Sequence, residues 1–183
     1  MIHKIVVYKK SKKINPLNFK KMKTKKILFV DDDKDFVSTQ SVLISHLGYE
    51  VFTANSSMQG FQMAKDILPD LIILDVNMET KYAGFELNKK IRKETLMSKV
   101  PIIMLTGIET FPISDQVLEM YNDIFEKENP DHKKVFKIGD NTNDISVQYV
   151  DDNAKQFYLP LDSFVPKGVT LDLLSSEIKR FIE

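Results

Sequence analysis

A doubly wound α/β fold, in which a parallel sheet is buried between two layers of helices, is the architecture this 183-residue sequence predicts. Two observations carry that prediction. From Ile27 onward, short and wholly apolar runs such as 27–30, 71–74 and 102–105 alternate with helix-length stretches whose apolar residues recur every three or four positions. Strands that are apolar on both sides belong to parallel sheets covered on both faces, whereas half-exposed strands alternate apolar with polar residues.

The elements follow in order. Ile27–Val30 reads as a buried strand. Asp35–Leu47 places Phe36, Val37, Leu43, Ile44 and Leu47 on one helical face and ends at Gly48, a C-terminal cap. Tyr49–Ala54 is the second strand. Ser56 or Ser57 caps a helix that runs to about Leu68 and stops before Pro69, with Met58, Phe61, Met63 and Ala64 as its packing residues. Leu71–Leu74 is a third strand, Gly84–Glu94 a helix, and Pro101–Leu105 a fourth strand. Past Thr106 the alternation breaks down. Ser114 or Asp115 can cap a helix bearing Val117, Leu118, Tyr121, Ile124 and Phe125, and "KVFKIGDNTNDISVQYV" suggests a hairpin. "DNTND" within it lacks the glycine and closing glutamate of a calcium loop. Order resumes with a fifth strand at Ser163–Val165 and a final amphipathic helix at Leu171–Ile182.

Composition narrows the function classes. With no cysteine, disulfides and thiolate metal sites are excluded, and the three histidines are scattered. No apolar run approaches the roughly 20 residues of a membrane-spanning helix, so a cytoplasmic protein without membrane contact is expected. The formal net charge of zero conceals an asymmetry: residues 1–26 hold ten Lys and no acid, leaving 16 basic against 26 acidic residues from Ile27 onward. Residues 1–24 are therefore read as a basic leader, disordered or upstream of a true start at Met22, and residues 25–183 as the domain proper.

The first strand runs directly into acid: "ILFVDDDKDF" crowds four carboxylates into five residues. Two carboxylates about 4 Å apart repel by roughly 4 kcal/mol at an effective dielectric near 20, so a cation is expected among them. Ligands of α/β sheets sit at the carboxyl ends of the strands. Those ends carry Asp31 and Asp32, Asp75, Thr106 and Lys167. Three carboxylates offer the hard oxygen donors that suit Mg²⁺, which also takes phosphate oxygens readily. Asp33 and Asp35 are read instead as helix N-terminal acids, favoured by the macrodipole.

Together these residues resemble the response regulator receiver domains of two-component signalling, the CheY-like superfamily. "VDDD" matches that family's acid pair, "PDLIILDVNM" its phosphoacceptor strand, "VPIIMLTG" its hydroxyl-bearing strand and "FVPKG" its lysine-bearing strand, over residues 25–106 and 161–182. The resemblance implies a five-stranded flavodoxin-like sheet of order 2-1-3-4-5, with 107–160 as an insertion between strands 4 and 5. It implies that Asp75 accepts a phosphoryl group, that Asp31, Asp32, Asp75 and the carbonyl of Asn77 hold Mg²⁺, and that Lys167 pairs with the phosphoryl oxygens. Thr106 and Phe164 would be the switch pair. The protein would be a phosphoacceptor that assists its own phosphorylation and dephosphorylation, not an enzyme in the ordinary sense. Its partners would be a sensor histidine kinase or phosphotransfer protein and an unidentified downstream protein. Only 16 residues follow Lys167, so a stand-alone receiver without DNA binding is expected, acting by protein contact or phosphoryl relay.

Four features depart from the family pattern. Glu79 replaces the usual proline, "ETKYAG" is one residue longer, Gly168 follows Lys167 where proline is usual, and the 107–160 segment separates Thr106 from Lys167. Two other readings stand beside this one: a degenerate receiver that binds partners without phosphate, and a haloacid dehalogenase-like phosphatase. The latter leaves Asp75 without a role.

Overall fold

A computed structural model describes residues 23–107, 111–113, 136–138, 145–150 and 156–183. The basic leader (residues 1–22 of it), the helix expected after Ser114 and the "DNTND" turn lie outside the described residues.

Five strands form a parallel sheet: β1 (Lys26–Val30), β2 (Glu50–Ala54), β3 (Leu71–Asp75), β4 (Ile102–Thr106) and β9 (Ser163–Pro166). Their order is β2-β1-β3-β4-β9, the expected 2-1-3-4-5 arrangement with the ninth strand in the fifth place. Successive strand residues point to opposite faces, and the sheet sorts them accordingly. Leu28, Val30, Ile72, Leu74, Ile102 and Met104 pack on one face with Ala64 of α2 (Ser57–Ile67) and Phe85, Leu87 and Ile91 of α3 (Ala83–Lys93). Ile27, Phe29, Leu71, Ile73, Ile103 and Leu105 pack on the other with Val37 and Ile44 of α1 (Lys34–His46) and Leu174 and Ile178 of α4 (Leu171–Ile182). This two-faced burial is why the strands read as unbroken apolar runs.

The local signals act where expected. Asp33 caps α1 by accepting from the Phe36 N–H at 3.0 Å, and Gly48 follows the helix with φ +96°. Ser56, not Ser57, caps α2, and Leu68 takes a left-handed φ of 47° just before Pro69. Two packing assignments fail. Met58 is 81% exposed and Leu47 lies at the exposed end of α1, because each sits at a helix terminus where the apolar stripe has turned away from the sheet.

Between β4 and β9 lies a second sheet of four strands, β5 (Phe111–Ile113), β6 (Phe136–Ile138), β7 (Ile145–Val150) and β8 (Gln156–Leu161), in that order. The expected hairpin is the antiparallel β6–β7 pair. Regular order resumes earlier than Ser163: β8 pairs with β7 and runs to Leu161, one residue beyond the expected edge of the insertion. Leu159 and Leu161 of β8 join the core cluster that contains Phe164, so this sheet is anchored to the central one through apolar burial.

Candidate functional site

Parallel β1 and β3 are paired in register from Ile27–Leu71 to Val30–Leu74, which brings the residues that follow, Asp31 and Asp75, side by side at the carboxyl edge. Both are buried, at 0% and 3% exposure, while Asp32 faces solvent. One carboxylate oxygen from each of Asp31, Asp32 and Asp75 lies within 4.8 Å of the others. Lys167, just beyond β9, sends its ammonium between the two buried acids, 2.8 Å from Asp31 Oδ2 and 3.1 Å from Asp75 Oδ2. Asp31 Oδ1 accepts from the Asp33 N–H at 3.0 Å. Thr106 closes β4 in register with Pro166, the residue before Lys167. Five of the residues singled out in the sequence thus converge on one edge.

The electrostatics are unbalanced. Burial pushes the Asp75 carboxyl up to about 6; the hydrogen bond from Lys167 opposes that, and the neighbouring Asp31 charge adds to it. Lys167 is also desolvated, yet its hydrogen bonds to Asp31 and Asp75 and the charges of the two carboxylates together outweigh burial and raise its pKa above the ordinary lysine value. One ammonium serves two buried carboxylates with a third beside them. The arrangement keeps a net negative charge at an edge where two of the three acids are buried from water.

The donor set fits Mg²⁺. All candidate ligands are oxygens, and Asp31 Oδ2 meets only the Lys167 ammonium among the described residues. Octahedral ligands about 2.1 Å from a metal stand roughly 3 to 4.2 Å apart, so the cluster has only to draw in slightly.

The loop after Asp75 is fixed at several points. Asn77 is exposed, and its Oδ1 accepts from the Tyr82 N–H at 3.2 Å. Tyr82, within "ETKYAG", adopts the left-handed φ of +66°. Its strain is offset by burial of the ring, stacked 5.8 Å from Phe85. Gly84 donates to Val76 O at 2.9 Å, and a Cβ there would stand 1.9 Å from the Asp75 carbonyl oxygen. Only glycine permits α3 to start against the end of β3.

The roles of four residues went unread in the sequence. Phe36, assigned to the helix core, is half-buried with its ring centroid 5.1 Å from the Lys167 ammonium, a cation–π contact beneath the site. Gly84 carried a signal, since glycine in a first helical turn is disfavoured without a close contact to require it. Glu79 stood out only as a replacement for the usual proline and Ser57 only as a possible cap; the hydrogen bonds that join them are seen in the structure alone.

A parallel sheet of this order, with acids on β1 and β3 and a lysine after the last strand, defines the receiver class. The model of the response regulator receiver domain matches residues 27–136, and the chain belongs to that family. The alkaline phosphatase synthesis transcriptional regulatory protein PhoP of Bacillus subtilis is 42% identical over 83 residues, covering 45% of this chain and 33% of that one. The phosphate regulon transcriptional regulatory protein PhoB of Pseudomonas aeruginosa is 36% identical over 83 residues, 45% of this chain and 36% of that one. The chain spans about a third of the length of these relatives. In fold it is similar to the chemotaxis protein CheY4 of Vibrio cholerae, with TM-score 0.54 and 22% identity over 86% of this chain and 98% of that one. It is likewise similar to the response regulator TrrA of Thermotoga maritima in complex with Mg²⁺-BeF, with TM-score 0.54 and 21% identity over 86% and 99%.

Proposed function

We propose that the chain accepts a phosphoryl group on Asp75 and passes the resulting state to a protein partner. The observation that carries this reading is the pair of buried carboxylates, Asp31 and Asp75, sharing the ammonium of Lys167 with Asp32 alongside. An Asp75 oxygen attacks the phosphorus of a phosphohistidine; the phosphorus–nitrogen bond breaks and the imidazole departs, taking up a proton. Mg²⁺ held by Asp31, Asp32, Asp75 and the Asn77 carbonyl would neutralise the phosphoryl oxygens. Lys167 pairs with one of those oxygens, and Thr106 hydrogen-bonds to another once Asp75 is modified. Such transfer needs positioning and charge neutralisation more than covalent chemistry from the protein, so no further catalytic group is required. The chain is in this sense a phosphoacceptor and not a turnover enzyme.

The donor is a sensor histidine kinase or phosphotransfer protein in the cytoplasm; no helix among the described residues is long and apolar enough to cross a membrane. The transcriptional output named for PhoP and PhoB is not carried to this chain, because the match covers a third of each. The reading here is output by protein contact, supported by the second sheet, whose Leu159 and Leu161 share a buried cluster with Phe164. A change at Phe164 on phosphorylation would reach β8 directly. Residues 25–183 would then be one receiver domain, with 107–160 as its contact region. Membership of the receiver family leaves the dehalogenase-like reading without support.

Incubation with acetyl phosphate and Mg²⁺, followed by peptide mass mapping, tests the proposal. One phosphoryl group on Asp75, absent in Asp75→Asn, is expected; unlabelled protein would favour the phosphate-independent binding module.

A further inference from the structure

We propose that Glu79 is a positioning residue that ties the two halves of the cation site together through α2. The inference rests on the reading of Asp75 as phosphoacceptor. Glu79 lies in the loop after β3, yet its carboxylate reaches the first residue of α2: it accepts from the Ser57 N–H at 3.0 Å through Oε1, and the Ser57 hydroxyl donates to it as well. The β2–α2 turn is itself fastened to the acid pair, because the Asp31 N–H donates to Ala54 O at 3.1 Å. A closed ring results. It runs from Asp31 to Ala54, along the turn to Ser57, across to Glu79, back through Met78 and Asn77 to Asp75, and closes through the Lys167 ammonium shared with Asp31.

Helix capping alone does not account for Glu79. Ser56 already caps α2 by accepting from the Gln59 N–H at 3.2 Å, and Gln59 Oε1 accepts from the Asn55 N–H at 2.8 Å, a reciprocal arrangement close to a capping box. What the bridge adds is a third fixed point for a long loop otherwise held at Tyr82 and Gly84. Without it, the stretch carrying Asn77 meets the β1 side only through apolar packing, with Val76, Met78 and Tyr82 in the cluster that holds Val30 and Ala54, and by no hydrogen bond among the described residues. With it, the loop that carries Asn77 is tied through the start of α2 and Ala54 to the residue that follows β1, in addition to the direct β1–β3 pairing that places Asp31 beside Asp75. Partners bonded directly to metal ligands typically change affinity by 10- to 100-fold when removed, and a bridge one step further out is expected at the low end of that range.

The experiment measures the Mg²⁺ dissociation constant, the labelling rate with acetyl phosphate and amide exchange in α2 for the full chain and for Glu79→Ala, Glu79→Gln, Ser57→Ala and the Glu79→Ala/Ser57→Ala double variant. Glu79→Ala is expected to weaken Mg²⁺ binding about tenfold. Ser57→Ala, which keeps its backbone donor, should weaken it less, and the double variant should match Glu79→Ala because the two residues act as one bridge. Glu79→Gln retains an acceptor for Ser57 and should recover most of the affinity. A Glu79→Ala dissociation constant within twofold of the unmodified chain overturns the proposal. So does a Glu79→Gln loss equal to that of Glu79→Ala, which would mark a charge acting through space. Exchange that rises across Gln59–Phe61 with unchanged Mg²⁺ affinity would reduce Glu79 to a helix cap. If the unmodified chain neither binds Mg²⁺ nor is labelled at Asp75, the site reading fails and the bridge with it; intact labelling with indifferent variants defeats the bridge alone.

Discussion

The two ends of the central sheet both carry aspartates, and they use them in opposite ways. At the amino ends, Asp70 accepts from the Lys26 N–H at 2.8 Å and from Lys25 Nζ at 3.0 Å. Asp162 accepts from the Ile102 N–H at 2.7 Å and from Arg92, while its own carbonyl accepts from Arg180 at 3.0 Å. At the carboxyl ends, Asp31 and Asp75 are buried, share one lysine and have Asp32 beside them. The consequence shows in Asp70 and Asp75. Asp70 is partly desolvated, but the Lys26 and Lys25 hydrogen bonds outweigh that and hold its pKa below the usual carboxylate value, whereas burial drives Asp75 up to about 6. At the amino ends each aspartate has its own cation and a strand N–H, Lys25 and Lys26 N–H for Asp70, Arg92 and Ile102 N–H for Asp162, whereas at the carboxyl ends two buried aspartates divide a single ammonium. The amino end is built to hold the fold, and the carboxyl end is built to bind.

The largest expected effect comes from crowding the binding end. In Gly84→Ala a Cβ would fall 1.9 Å from the Asp75 carbonyl oxygen, so either α3 or the end of β3 must shift. Labelling of Asp75 should drop by about 100-fold, as small misplacements near reacting groups do; labelling at an unchanged rate would show that this approach does not set the site. At the holding end, Asp162→Ala strands the Ile102 N–H and leaves Arg92 only the Ser98 and Val100 carbonyls. Chemical denaturation should show a loss of about 1 to 3 kcal/mol, the cost of an unpaired buried donor. Folded Asp162→Ala should still be labelled at the unmodified rate, and a parallel loss of labelling would erase the division between the two ends.

A smaller effect concerns pH. Asp75 binds its proton more tightly in the folded chain, with a pKa of about 6 against 3.8 for the ordinary group. Between those values the folded state holds more protons, so stability falls as pH rises from about 4 to about 6 in metal-free buffer. The upper limit of that loss is about 3 kcal/mol. Asp75→Asn removes the titrating carboxylate and should flatten the profile across this window. An unchanged slope in the variant would mean that burial of Asp75 is relieved in solution.

Much of this division was legible in the sequence. Apolar runs of period one and helices of period 3.6 were enough for the sheet and its two covered faces, because burial on both sides leaves no polar residue in Ile27–Val30 or Leu71–Leu74. The five site residues emerged from their position after strands and from the resemblance. Phe36 and Glu79 did not, since each acts through a contact with a residue distant along the chain: Lys167 for the first and Ser57 for the second. Asp162 was equally silent. A single aspartate before a strand looks like a turn residue until Arg92, Ile102 and Arg180 are seen to meet on it. The second sheet was half visible, as the β6–β7 hairpin, because β5 pairs in parallel with a strand more than twenty residues away and leaves no local pattern.

Thermal unfolding at rising Mg²⁺ concentration tests most directly whether the carboxyl-end carboxylates form a cation site and the amino-end ones do not. The unmodified chain and Asp70→Asn should both gain stability by an amount that grows with the logarithm of the metal concentration, about 2.7 kcal/mol at a hundredfold excess over the dissociation constant. Asp32→Ala and Asp75→Asn should show little or none of that gain. Equal stabilisation of all four proteins, or of none, would contradict the account.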